Sequence, residues 1–222
     1  MSKIRAITFD IETIPLRGLL NSAQEDEILK KSKAILKTPN PSPEELASVR
    51  SLVMATSPYL GEIICIGMHG VTFSGEEELI PLIGDEKEIL SKFWNALADF
   101  SGLFVSFNGL DFDAPFIIKR SMYHRVAVKN MSFLDLKRFS RWPHFDVRAV
   151  IGDFDKFASG NLDLISQFCG ISSPKDGDIT AENVEQAFKD VRIAEIADYC
   201  IRDVKATYDI YEILKNYTYK PK

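Results

Sequence analysis

Asp10 and Glu12 straddle one isoleucine in the stretch ITFDIETIP, residues 7–15. Side chains alternate along a strand, so the two acids share one face. Two like charges about 4 Å apart repel by roughly 4 kcal/mol at an effective dielectric near 20. Such a pair is either solvated at a strand end or held around something positive.

Two further stretches carry residues of matching chemistry. VSFNGLDFDAPF, residues 105–116, leaves an apolar strand and enters a helix through Asn108, Phe112 and Asp113. ADYCIRDVKATY, residues 197–208, sets Tyr199 and Asp203 four residues apart, on one face of a helix. Strand ends and helix starts are where open α/β sheets gather functional groups. Four carboxylates in one cleft would repel one another until cations neutralise them. Hard oxygen donors suit magnesium or manganese. Two such ions about 3.5–4 Å apart can activate a water and stabilise a leaving oxygen in phosphodiester hydrolysis.

In order along the chain, Phe-Asp10-Ile-Glu12-Thr, Asn108-x-x-x-Phe112-Asp113 and Tyr199-x-x-x-Asp203 resemble the three motifs of the DEDD 3′–5′ exonucleases. The likeness is to stand-alone proteins similar to the proofreading exonuclease domain of family B DNA polymerases. It is of the tyrosine type, because the position five residues before Asp203 is Asp198 and not histidine. The resemblance implies a ribonuclease H-like α/β fold, a mixed five-stranded sheet flanked by helices. It implies that Asp10, Glu12 and Asp203 hold the ion that activates the water, that Asp10 bridges to a second ion, and that Asp113 supports that second ion. Tyr199 would orient the water, while Asn108 and Phe112 would hold the 3′-terminal nucleotide. Thr13 and the Ile11 backbone would touch its ribose. The implied substrate is single-stranded nucleic acid, DNA ahead of RNA, cut to nucleoside 5′-monophosphates with Mg2+ or Mn2+ as cofactor. A chain this short leaves no room for a polymerase domain, so proofreading would act in trans with a partner polymerase or repair proteins. An exoribonuclease with the same catalytic set, or a non-catalytic binding module on the same fold, are the rivals. Retained mutual repulsion argues against the latter.

These residues need elements to hold them. Residues 3–10 read as a buried strand. Residues 16–57 read as a helical insertion within one domain spanning 1–222. One helix is capped by Ser22 with Glu25, and Pro39-Asn40-Pro41 breaks the chain. A second helix is capped by Ser42-Pro43-Glu44-Glu45. Residues 62–68 and 71–73 read as strands of a hairpin turning at His69-Gly70. Asp85 with Glu88 opens the next helix, 103–107 is a strand, and 113–123 is a helix with Asp113 as its cap. A strand is expected near 145–150, a short helix after Gly160-Asn161, and a long helix over about 192–216.

Hydrophobic residues at 45% and charged residues at 27% fit an ordinary globular domain, which argues against a disordered chain. No apolar run approaches the ~18 residues of a membrane span. Met1-Ser2-Lys3 runs directly into Ile4, which reads as lacking a signal peptide. Cys65, Cys169 and Cys200 form no CxxC pair and read as reduced thiols of a cytoplasmic protein. The net charge of −5 disfavours a generic nucleic-acid binder. Yet residues 115–148 hold eight basic side chains against Asp135 and Asp146. That stretch is either a solvated face or a guide for phosphates, with Trp142 or Phe145 as a stacking surface. Asp111, Asp146 and Asp163 read as loop or cap residues, with Asp146 the reserve ligand. His69, His124 and His144 share no metal-ligand spacing and read as structural or surface residues. Lys175 to Asp178 reads as a plain turn.

Overall fold

The computed structural model describes residues 3–36, 41–155, 157, 160–172 and 177–218. Pro39 and Asn40 of the proposed break, and Lys175 and Asp176 of the Lys175–Asp178 turn, lie outside them. The chain runs β1 (Ile4–Pro15), α1 (Ser22–Leu36), α2 (Pro43–Ala55), β2 (Gly61–Thr72), β3 (Glu77–Ile83), α3 (Glu86–Leu97), β4 (Leu103–Ser106) and α4 (Asp113–His124). It continues through β5 (His144–Asp146), α5 (Val147–Ile151), α6 (Leu162–Phe168), α7 (Val184–Lys189) and α8 (Ile193–Leu214). The sheet order is β3-β2-β1-β4-β5. The first three strands pair antiparallel and β4 and β5 join parallel, so the five-stranded sheet is mixed.

Alternation along β1 divides the core. Ile7, Phe9 and Ile11 pack with α3 and α4, around Phe93, Trp94, Phe104 and Phe133. Ala6 and Ile14 lie on the other face, in clusters that include Tyr208 and Ile196 of α8. Asp10 and Glu12 share that second parity, so the strand turns both acids toward the α8 side.

Local signals held where the chain alone decides them. Ser42 and Glu45 form the capping box of α2, Asp85 caps α3 and Asn161 caps α6. Other expectations are corrected. The first helix is closed by Asn21 and Gln24, each side chain bonding the other's backbone N–H, one residue before the expected box. There is no turn at His69-Gly70. β2 runs through both residues and the hairpin turns after Thr72 instead. His69 is buried there, its ring bonding Glu77 and standing edge-on to Tyr208. The strand expected near 145–150 ends at Asp146, whose side chain accepts from the Ala149 N–H and starts α5. α7 has no forerunner in the sequence reading.

Candidate active site

Three elements converge on the acids. β4 pairs with β1 only from Ala6 to Thr8, whereas β1 runs on to Pro15 paired with β2. The far half of β1 thus has one edge without a strand beside it, and unpaired backbone groups there need other partners. The Ile11 N–H finds the Asp113 carboxylate, at 3.0 Å. Asp113 is therefore not the expected helix cap. It occupies the first turn of α4, whose N-cap position, Phe112, makes no side-chain capping bond.

α8 approaches from the other side. Gly67 of β2 stands opposite Asp10 in the register. A Cβ on Gly67 would lie 2.8 Å from the Cys200 Sγ and 3.1 Å from the Cys200 carbonyl oxygen. Only the missing side chain lets the helix come this close. Cys200 is fully buried, with its sulfur 3.8 Å from Asp10 Oδ2. Asp10, Glu12 and Cys200 each offer a ligand atom, all within 4.8 Å of one another. Tyr199 is buried beside them, and its hydroxyl bonds the Asp203 carboxylate.

The electrostatics are one-sided. Burial pushes Asp10 well above the usual carboxylate range, and Asp113, Glu12 and Asp203 push it further. Burial raises Glu12 in the same way, with Asp203 the next cause. Asp113 is raised to about 7, chiefly by burial, although the Ile11 N–H and its own N–H pull it back down. Burial and the surrounding carboxylates push the Tyr199 phenol up as well. The charged groups that shift Asp10 are thus acids. A cleft of this kind favours cations, and its carboxylate oxygens are the hard donors that Mg2+ or Mn2+ prefer, with the Cys200 sulfur a softer neighbour.

The other expected residues are placed as follows. Asn108 has a left-handed backbone (φ 65°), a conformation that asparagine tolerates, and its Oδ1 accepts from Arg148 at 2.9 Å. Phe112 is partly buried, its ring 5.6 Å from Phe116. The Thr13 hydroxyl donates to the Ala55 carbonyl at the end of α2. Asp146 accepts from the Asn108 and Leu110 N–H groups as well as Ala149, which fixes the loop before Asp113. Asp111 pairs with Arg138, and Asp163 accepts from Gln167. Cys200 was legible only as one of three unpaired thiols, although its place between Tyr199 and Asp203 set it near the site.

The basic stretch divides. Arg120 is buried and bonds Glu86 through two nitrogens, at 2.8 and 2.6 Å, which excludes it from any phosphate surface. Phe145 is core, packed on Tyr211, so the expected stacking surface reduces to Trp142, which is 59% exposed. Arg138 remains at the surface, with 70% of its side chain accessible.

Residues 75–218 match the family described as "Predicted 3'-5' exonuclease related to the exonuclease domain of PolB". The chain belongs to this family. The match to the PolB-related exonucleases includes Asp113, Tyr199 and Asp203, while Asp10 and Glu12 precede it. An uncharacterized protein of Methanocaldococcus jannaschii is 26% identical over 169 residues, 71% of this chain and 88% of that protein. The family B DNA polymerase of the hyperthermophilic archaeon Pyrobaculum calidifontis superposes with a TM-score of 0.61 at 16% identity. That superposition covers 96% of this chain but 24% of the polymerase chain, and it establishes the shared ribonuclease H-like fold. Among the described residues no helix is long and apolar enough to cross a membrane.

Proposed function

We propose that this protein is a metal-dependent 3′–5′ exonuclease that removes nucleoside 5′-monophosphates from single-stranded 3′ ends. DNA is favoured over RNA, because the motifs take the form seen in family B polymerases. One observation carries the reading: Asp10 of β1 is held well above the usual carboxylate range by burial and then by the carboxylates of Asp113 from α4, Glu12 from β1 and Asp203 from α8, which share its cleft. Mutual repulsion of that kind destabilises the fold, and it is retained where function needs it.

Two divalent ions held by Asp10, Glu12, Asp113 and Asp203 would supply an activated water and stabilise the leaving 3′-oxygen. The protein's own groups do the rest. The Tyr199 hydroxyl, tied to Asp203, stays protonated and so orients the attacking water instead of removing its proton. The Ile11 N–H holds Asp113 in its inward rotamer. Arg148 fixes the Asn108 amide for the terminal nucleotide, and Phe112 supports it from below.

The test is a 5′-labelled single strand of DNA, and one of RNA with equal sequence, offered with Mg2+, Mn2+ or chelator. A ladder shortening from the 3′ end, abolished by chelator and by Asp203→Asn, is expected, with DNA the better substrate. Full activity in Asp203→Asn would refute the site. Preference for the RNA strand would make the enzyme an exoribonuclease, and binding of both polymers without cleavage would make it a binding module.

A further inference from the structure

Two cavities share a wall at Phe139 and Phe154. The first, about 560 Å³, starts at Asn108 and is lined further on by Phe139 and Phe154, with Arg138 and Arg148 set among Asp111, Asp146 and Asp155. Its lining residues Asn108 and Leu110 flank Gly109, where an added Cβ would lie 3.7 Å from Asp113 Oδ2, so the cavity starts within a few residues of one acid of the cluster. The second, about 790 Å³, lies around the start of β1 and the segment before β5, and Phe139 and Phe154 line it as well. The two rings stand 5.5 Å apart and form the wall common to both cavities.

Phe139 and Phe154 both hold a left-handed backbone, φ 64° and 63°. Bulky residues rarely adopt that conformation, and strain of this sort clusters at ligand-binding sites. Phe139 is nevertheless 74% exposed, so burying its own ring does not account for it. Among its described lining residues the second cavity adds the exposed Trp142 ring and four cations, Lys3, Arg5, Arg141 and Lys215, of which Arg5 and Lys215 share an ion pair with Glu212 behind them. That charge runs against the −5 of the whole chain.

We propose that the two cavities form one track for single-stranded nucleic acid. On the exonuclease reading, which this inference rests on, the strand leaves the acids at Asn108, crosses the Phe139–Phe154 wall, and ends on Trp142 among the cations. Aromatic faces stack bases without regard to sequence, and cations on the same path take the phosphates. From Asp10 back to Ile4 the path runs alongside six residues of strand, roughly 20 Å. A dinucleotide therefore fills only the site itself, whereas a longer strand reaches the second cavity.

Trp94 is fully buried, so Trp142 is the tryptophan whose fluorescence a bound strand can quench. In the chelated Asp203→Asn protein, an oligonucleotide of about 12 nucleotides should quench it, and a dinucleotide should not. In the active protein, kcat/KM should rise at least about tenfold from dinucleotide to the longer strand, a ratio that Trp142→Ala should collapse, as expected for one lost stacking contact. Lys3→Ala with Lys215→Ala should flatten the salt dependence of binding. Equal kcat/KM at both lengths with no quench would overturn the track while leaving the exonuclease standing. Quenching by the longer strand with no hydrolysis at any length would keep the track and overturn the exonuclease.

Discussion

The Ile11 N–H donates to Asp113 Oδ1 at 3.0 Å, joining positions 102 residues apart in the chain. This bond ties the bare edge of β1 to the first turn of α4. It makes Asp113 both a structural acceptor and a member of the acid cluster. The two roles separate in a pair of variants. Asp113→Asn keeps an oxygen for the Ile11 N–H, whereas Asp113→Ala leaves that buried donor unpaired, a cost of about 1–3 kcal/mol. Both variants should lose exonuclease activity, but thermal unfolding should find the alanine variant less stable than the asparagine variant by that amount. Equal melting temperatures would remove the structural role.

Acid repulsion also sets a pH dependence. Asp10, Glu12 and Asp113 have folded pKa values raised above their unfolded ones. The folded state therefore keeps protons that the unfolded chain releases, and stability falls as pH rises through the folded values. Burial lowers His69 and His144, which act in the opposite direction, but only below about pH 6.5, where the unfolded chain protonates them. Between about pH 6.5 and 8.5 the acids decide, with Asp113 at about 7 inside the window. The melting temperature in chelator should fall across that range. Mn2+ should offset the fall, and Asp10→Asn should flatten it.

Tyr199 offers a sharper kinetic test. Its hydroxyl bonds Asp203, and burial together with the surrounding carboxylates keeps it protonated. Tyr199→Phe removes the hydroxyl while keeping the buried ring. The expected result is a loss of about 10²-fold in kcat with KM little changed, as for a misplaced reactant. A comparable rise in KM would instead mark Tyr199 as a substrate contact.

Gly67→Ala tests how closely α8 must sit. The added methyl would meet the Cys200 sulfur at 2.8 Å and a backbone oxygen at 3.1 Å, and the backbone cannot rotate away. Overpacking of this kind costs about 1–3 kcal/mol. Because Tyr199 and Asp203 ride on the same helix, activity at a temperature where the variant is fully folded should fall as well. Denaturant unfolding and a single-turnover assay report the two effects separately.

Arg120 and Arg138 should behave as opposites, despite lying in one basic stretch. Arg120 is buried against Glu86, whose carboxylate also accepts from the Ile63 N–H and bonds His124. Removing one partner of a buried pair strands the other charge, so Arg120→Ala should cost about 3–5 kcal/mol. It should leave the salt dependence of oligonucleotide binding unchanged. Arg138→Ala at the surface should do the reverse, weakening salt-dependent binding with little loss of stability.

What the sequence determined by itself was local. The parity of Asp10 and Glu12, the i,i+4 pairing of Tyr199 with Asp203, the caps at Ser42, Asp85 and Asn161, and the order of the three acidic motifs follow from strand and helix periods within a few residues. The His69-Gly70 turn was misread because its residue types suit a turn, whereas β3 and Tyr208 supply the partners that keep β2 extended. Tertiary structure decided what depends on distant neighbours. It chose the Ile11 N–H over capping for Asp113, brought Cys200 against Asp10, and buried Arg120 on Glu86 while leaving Arg138 in solvent. The physical reason is range. Backbone periodicity is written into adjacent residues, but burial and charge state depend on whichever part of the chain folds against them, and no local pattern encodes that.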